Sequence, residues 1–280
     1  MGSFADAGLE LHLTPSAISH QIRALEDWFG KPMFTRTGRK VTLTEDGRRL
    51  LAELSQAFDL MEDACSALRP TEHTRLAVHS APSFAAKWLG PRLRDFMDTH
   101  PSITIQLTSS AEPVALNDSE VHVDIAYGTP LHDSGVIVEP LGMEATVPLC
   151  SPSLIKHLEN PVPADLAHFT LIESKLNPVR WTDWWRLNGL KPPTRDRPSF
   201  DRGSLAIAAA VDGVGIALET TRFAERELAR KDLVILDGPG YRRFQRQFHF
   251  LCYKKSNRHN EQLQAFRSWL YSRLDTNLGV

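Results

Sequence analysis

At 280 residues, 42% hydrophobic and with a formal net charge of −2, the chain has material for about two globular domains and is not basic overall, so any nucleic-acid footprint must be local. No apolar run is long enough to span a membrane, and the start does not read as a signal peptide. The three cysteines (Cys65, Cys150, Cys252) are odd in number and far apart, with neither a disulfide framework nor zinc-ligand spacing, which suits a reducing cytoplasm.

The first strongly patterned stretch is LTPSAISHQIRALEDWF. Ile18, Ile22, Leu25 and Phe29 recur at steps of four, three and four, one face of a helix. Ser16, Ser19, His20 and Arg23 share another face. Thr14 fits the cap and Pro15 the first turn, where an amide hydrogen would be unpaired anyway. Short hydroxyls, an imidazole and a guanidinium on one exposed face are what a helix needs to reach phosphates and base edges.

From Thr35 the sequence reads TRTGRKVTLTEDGRR. Gly38 lies between short β-branched runs, which predicts a small hairpin or wing carrying Arg36, Arg39 and Lys40. The basic footprint is here: Lys31, Arg36, Arg39, Lys40, Arg48 and Arg49 against Glu45 and Asp46. Thr44 caps a new helix with Glu45 and Asp46 in its first turn, where the helix dipole favours acids. Leu50, Leu54, Ala57, Met61, Ala64 and Leu68 alternate steps of four and three, a heptad seam, with Leu51, Phe58 and Cys65 on a second flank. Such a helix spans about 37 Å at 1.5 Å per residue. It can pack on its own domain, but so wide a stripe is better read as a dimerising linker that ends at Arg69-Pro70-Thr71.

The stretch GSFADAGLELHLTPSAISHQIRALEDWFGKPMFTRTGRKVTLTEDGRRLL resembles the LysR-type transcriptional regulators. It matches their leucine-rich turn, Thr-Pro-Ser-Ala-x-Ser helix, Leu-Glu, Gly, Phe-x-Arg and Leu-Thr-x-x-Gly in register. The resemblance implies a winged helix-turn-helix in residues 1–43, with helix 15–29 in the major groove of double-stranded operator DNA. Thr14, Pro15, Ser16, Ser19, His20 and Arg23 would face the DNA, and Arg36, Arg39 and Lys40 would touch phosphate. It further implies a dimerising linker helix (44–70), a homodimer that pairs into a homotetramer, a small-molecule effector and RNA polymerase as partners, and no cofactor or metal. Family members carry a further helix before the Gly-Ser-Phe, whereas here Met1 directly precedes Gly2. The element against which Phe4, Leu9 and Ile22 pack would then be missing, and Gly8, at a helical position where the family tends to have Ala, costs roughly 0.5–1 kcal/mol. The expectation is a start further upstream. The alternative is a start-truncated regulator with impaired DNA binding that acts only as a ligand-binding or dimerising protein.

Residues 71–280 alternate strand and helix signals, the mark of an α/β domain. RLAVHS, ITIQLTSS, VHVDIAYG, ATVPLCS, FTLIES and FHFLCYK read as strands. PSFAAKWLGPRLRDFMDTH and EQLQAFRSWLYSRL read as helices, and SFDRGSLAIAAAVDGVGIALETTRF as strand, helix, Gly-bounded turn, strand and helix start. The resemblance supplies the assembly: two α/β lobes like those of periplasmic binding proteins, joined by strands that cross near Cys150 and near Leu251, with the effector between them. Candidates to line that site are Ser80 and Ser83, Ser109 and Ser110, Tyr127 and Thr129, and Phe200, Asp201 and Thr220. Each serine alone also fits a simple cap or turn. Asp201 fits a ligand amine, an ion pair with Arg202 or a helix cap equally well. Within the family the effector-domain motifs look most like the branch of glycine-cleavage, D-serine-deaminase and β-lactamase activators, which implies an amino acid or a similar carboxylate as co-inducer.

Trp181, Trp184 and Trp185 on one helix read as lobe packing rather than a stacking cage. The basic run Arg242, Arg243, Arg246, Lys254, Lys255 and Arg258 reads as a solvated face, with a dimer or polymerase contact as the lesser reading. An enzyme would need a nucleophile and base or a phosphate loop, and neither G-x-S-x-G nor a phosphate loop is present. A peroxide sensor would need paired reactive cysteines, and Cys150 and Cys252 fall on separate predicted strands. A stand-alone solute-binding protein would not need residues 1–69.

Overall fold

The computed structural model describes residues 4–37, 40–67, 74–130 and 135–275. The chain divides into two compact units, residues 1–69 and 70–280. In the first, α1 (Phe4–Glu10) and α2 (Pro15–Phe29) are joined by a turn in which His12 takes a left-handed φ of 55°. A Cβ on Gly8 would lie 2.7 Å from the Leu13 carbonyl oxygen. Glycine therefore lets the two helices close on each other, which outweighs its propensity cost. Gly30 ends α2 in the left-handed region (φ 66°). Glu26 Oε1 then accepts the Met33 and Phe34 amides at 2.7 and 3.0 Å, fixing the exit of the chain. β1 (Phe34–Thr37) pairs antiparallel with β2 (Lys40–Leu43), as the sequence predicts for a wing. Thr44 caps α3 (Glu45–Ala67): its hydroxyl accepts the Gly47 amide at 3.0 Å and donates to the Pro32 carbonyl at 2.8 Å. The expected continuation of the seam to Leu68 and the break at 69–71 lie outside the described residues.

The second unit begins with β3 (Thr74–Ser80), the short α4 (Pro82–Phe84), a π turn over Ala85–Leu89, a 3-10 turn over Gly90–Arg92 and α5 (Leu93–Thr99). Pro91 has no amide hydrogen, and the Gly90 amide reaches back five residues to Ala85. The predicted single helix is therefore one helical run with a widened middle. There follow β4 (Ile103–Ser109), β5 (Val123–Tyr127), β6 (Val136–Pro140), β7 (Glu144–Cys150), α6 (Pro152–Ile155), β8 (Leu171–Ser174), α7 (Trp181–Leu187), β9 (Ser199–Phe200), α8 (Gly203–Val211), β10 (Ile216–Thr220), α9 (Thr221–Arg230), β11 (Val234–Ile235), β12 (Phe244–Arg246), β13 (His249–Lys254) and α10 (Glu261–Asp275).

The strands form two sheets, one per lobe. Lobe 1 has the order β4-β3-β5-β13-β6, and lobe 2 the order β11-β7-β10-β8-β9 with β12 also on β7. Among the described residues the chain crosses between lobes twice, at 141–143 and at 247–248: the second lies near Leu251 as the sequence suggests, while the first lies well before Cys150. Cys150 ends β7 wholly inside the lobe 2 sheet, and Leu251 pairs within lobe 1. The main apolar core runs through both lobes and includes Phe84, Trp88, Phe96, Ile125, Ile207, Phe223 and Phe266. A second cluster in lobe 2 gathers Trp181, Trp184 and Trp185, each about 1% exposed or less, so the three tryptophans are packing residues as read.

Candidate nucleic-acid interface and ligand cleft

In the first unit, Thr14 Oγ1 accepts the Ala17 amide at 3.2 Å and Pro15 stands in the first turn, so α2 is capped as its sequence dictates. Ser16, His20 and Arg23 are exposed on one face and Ser19 is half-buried beside them. Ile18 is buried on the other face, with Ile22 and Leu25 half-buried. Phe29, expected in that stripe, is instead 40% exposed at the last position of α2, beside the exposed Trp28. Phe4 meets Phe34 edge-on at 5.4 Å, while Leu9 is exposed. In the hairpin, Arg36 pairs with Val41 and Lys40 with Thr37. Arg39 and the side chains of Arg36 and Lys40 lie outside the described residues. Along α3, Leu51, Leu54, Phe58 and Met61 form an exposed apolar strip.

In the second unit, a cavity of about 210 Å³ lies between the lobes. Four of the expected residues line it: Ser83, Ser110, Tyr127 and Thr129. Ser83, near the start of the helical run in lobe 1, accepts the Ser204 amide of α8 in lobe 2 at 3.0 Å. A lobe 1 hydroxyl thus occupies one of the free amides at a lobe 2 helix N-terminus, a place where anions bind.

The other five expected residues do not line the cavity. Ser80 is fully buried and its hydroxyl donates to the Ala81 carbonyl at 3.3 Å, while the Ala81 amide goes to Ile125 at 3.0 Å. Ser109 is exposed at the end of β4. Phe200 packs at the margin of the main core. Asp201 is exposed and pairs with Arg202 at 2.7 Å, the ion pair among its three readings. Thr220 is turned inward, where it accepts the Arg222 amide at 3.3 Å and donates to Glu144 Oε2 at 2.9 Å.

The cavity also exposes residues that the sequence reading missed. The Ser110 amide donates to His79 Nε2 at 3.1 Å, so the ring proton sits on Nδ1 and is given to Asp124 Oδ1 at 2.8 Å. Ser110, His79 and Asp124 have the connectivity of nucleophile, base and carboxylate. His79 Nε2 also lies 3.0 Å from the Ser110 hydroxyl, so its lone pair is shared between that hydroxyl and the Ser110 amide, while the same hydroxyl reaches the Glu112 carbonyl at 3.2 Å. Cys252 lines the same wall, and burial pushes both its thiol and that of Cys150 up to about 12, which keeps them unreactive.

Behind the cleft, the two crossings are tied by buried charges. Glu144 opens β7 just after the first crossing, and its Oε1 lies 2.7 Å from His249 Nδ1, which opens β13 just after the second. Arg222 Nη1 stands 3.1 Å from the same oxygen, and Nη2 donates to the Leu141 carbonyl at 2.9 Å, inside the first crossing. Burial alone would raise the pKa of Glu144, but His249, Arg222 and Thr220 outweigh it and hold it below the ordinary carboxylate value. On the flank of the cleft, the lobe 1 helical run meets α9 of lobe 2 through Lys87–Glu227 at 2.6 Å and Arg92–Glu225.

A helix-turn-helix with a wing, a long apolar-faced helix, and two lobes enclosing a small cavity define a DNA-binding regulator with a separate effector-binding domain. Residues 1–48 match the family model of the bacterial regulatory helix-turn-helix protein, lysR family, and residues 70–275 match that of the LysR substrate binding domain. The chain is 41% identical over 273 residues to an uncharacterized HTH-type transcriptional regulator, y4mQ, of Sinorhizobium fredii, covering 96% of this chain and 90% of that protein. It is 38% identical over 278 residues to the HTH-type transcriptional regulator PerR of Escherichia coli, covering 99% and 92%. Among solved structures, the effector domain of the transcriptional regulator AmpR of Pseudomonas aeruginosa superposes with a TM-score of 0.61 at 26% identity, covering 72% of this chain and 96% of that one. The chain belongs to the LysR family: it is a DNA-binding transcriptional regulator with an effector-binding domain, not an enzyme. DsdC and the glycine cleavage system transcriptional activator of Escherichia coli are more distant relatives, at 29% and 31% identity, in keeping with the branch its motifs resemble. Among the described residues no helix is long and apolar enough to cross a membrane.

Proposed function

We propose that this regulator is controlled by a small carboxylate bound between the two lobes of its effector domain. The observation that carries the reading is the cavity itself, lined from both lobes, with Ser83 bridging to the Ser204 amide at 3.0 Å. A ligand carboxylate fits the place where the Ser83 hydroxyl and the α8 amides meet, and Tyr127, Thr129 and Ser110 line the walls. Because the contacts come from both lobes, such a ligand stabilises one lobe arrangement over another, and only that difference in affinity transmits a signal. The α2 face of Ser16, Ser19, His20 and Arg23 reads base edges, while Arg36, Arg39 and Lys40 hold phosphate. The apolar strip of α3 pairs with the same strip of a second copy to make the homodimer, the unit from which a homotetramer is built.

Calorimetry against a panel of amino acids and related carboxylates, followed by gel shifts on the gene's own upstream DNA with any ligand found, tests this. Ser83→Trp fills the cavity and should abolish the ligand response while DNA binding and dimerisation persist, since those belong to residues 1–69. A full response in that variant removes the interlobe site.

A further inference from the structure

The lobe 1 wall of the cavity carries a polar chain that neither DNA binding nor a simple ligand pocket requires. In that sheet β3 lies between β4 and β5, with His79 directly opposite Asp124. Both side chains are buried, at 7% and 6% exposed, and His79 Nδ1 lies 2.8 Å from Asp124 Oδ1. The other ring nitrogen, Nε2, lies 3.0 Å from the hydroxyl of Ser110, which is exposed just past the end of β4 and opens on the cavity.

An exposed hydroxyl backed by a buried imidazole and a buried carboxylate is the arrangement that makes a serine nucleophilic. Asp124 holds the ring proton on Nδ1, so Nε2 is the basic nitrogen, and it faces Ser110 Oγ. The Ala111 amide, next along the chain, has no hydrogen-bond partner among the described residues. It is the donor at hand for an oxygen that gains negative charge beside Ser110.

The surroundings select the reagent. Ala111, Pro113, Val114 and Leu116, which follow Ser110 in the chain, line the same cavity and are apolar. Glu219, the buried acid on the lobe 2 wall, is pushed up to about 7 by burial, so it carries only part of a charge near neutral pH and leaves the cavity open to an uncharged reagent. A volume of about 210 Å³ limits that reagent to a short chain.

We propose that Ser110 is an acyl-acceptor site: with His79 as base, it takes one short, apolar acyl group from an activated ester and keeps it. This goes beyond the carboxylate reading and does not depend on it. Ser110 Oγ bonds to the acyl carbon as the bond to the leaving oxygen breaks. The Oγ proton passes to His79 Nε2 and on to the leaving oxygen, so nothing is oxidised or reduced. Asp124 is a positioning residue, since it holds the imidazole in the required tautomer. The ester then persists because of the Ser110 amide, 3.1 Å from Nε2. Once Oγ has no hydrogen, that amide has the lone pair to itself, and water finds no free base. The capture is therefore a stoichiometric modification of the regulator and not a turnover.

The test incubates the full chain with p-nitrophenyl butyrate and follows nitrophenolate release, intact mass and peptide maps. The expected result is a burst approaching one nitrophenolate per chain and a mass gain of one butyryl group. That group should map to Ser110, while the adjacent Ser109, equally exposed, stays unmodified. Ser110→Ala should lose the burst, and His79→Gln should slow it about hundredfold or more. Asp124→Asn should slow the burst without lowering its final amplitude, a split that a damaged fold does not give. If the two buried variants do not fold, the wild-type map of Ser110 against Ser109 and the exposed-site variant Ser110→Ala decide the matter. Acylation of Ser110 no faster than of Ser109, or a burst unchanged in Ser110→Ala, overturns the site. Release that continues through Ser110 for many equivalents per chain overturns the retained adduct.

Discussion

Removing the Glu144 carboxylate should destabilise the effector domain more than any surface change. Glu144→Ala leaves His249, fully buried, and Arg222, 11% exposed, facing each other without their shared acid. Deleting one partner of a buried charge pair costs about 3–5 kcal/mol, because the remaining charge is left uncompensated. At roughly 2–4 °C per kcal/mol for a domain of this size, the melting temperature should fall by about 6–20 °C, read by calorimetry or circular dichroism. The companion variant Glu144→Leu/His249→Leu replaces the acid and one of its two partners with apolar groups, leaves Arg222 in place, and should lose less than the sum of the two single changes, by about 1 kcal/mol or more. Acid should act on the same contact. The folded-state pKa of Glu144 is depressed, so its contribution is present above the unfolded carboxylate value and is lost as pH falls through the folded one. A loss of under about 1 kcal/mol in Glu144→Ala would refute the view that these charges hold the crossings together.

Glu219 has the opposite sign: its pKa is raised to about 7, so without ligand, stability should decline as pH rises from about 4.5 through 7, and Glu219→Gln should flatten that decline in pH-dependent melting. Arg39→Ala should weaken binding to all DNA sequences and reduce the slope of log affinity against log salt by about one in gel shifts; unchanged binding at every salt concentration would remove the wing from the interface. Phe58→Asp places a charge in the α3 strip, and losing a buried phenylalanine's worth of about 1.5–3 kcal/mol should weaken the dimer roughly ten- to hundredfold in sedimentation equilibrium.

Local chemistry made much of the fold legible. Thr14, Pro15 and Gly30 delimit α2, and Thr44 starts α3, because caps act within a turn of their own position. The strands with apolar runs were equally plain. β6 was not foreseen, because half-buried VIVEP follows a loop and gains its pairing from β13, far along the chain. The first crossing escapes the sequence for the same reason: ATVPLC reads as a connecting strand, and only its pairing with β10 shows it to be interior to lobe 2. In the cleft, the hydroxyls at strand ends drew attention, yet Ser80 and Thr220 turned inward. His79, Asp124, Glu144, Glu219 and His249 belong to apolar strands and carry no motif that marks them as site residues. A usable signal was there: LAVHS, VDIAY, IALET and HFLCY each place an ionisable residue within or beside an apolar run, where only pairing can keep it.

The two crossings have a consequence for how the chain is made. Lobe 2 is one uninterrupted stretch inserted into lobe 1, whose sheet needs β13 between β5 and β6. As the ribosome extends the chain from its amino end, lobe 2 can close on itself while lobe 1 still has a vacant slot in its middle. That slot can fill only when residues 249–254 emerge, and α10 with Phe266 and Trp269 arrives later still to cover Phe96. Pairing partners this distant in sequence form slowly. The nascent regulator therefore passes through a stage with two exposed strand edges in the centre of a sheet, and this is the stage at which it is most open to misassociation.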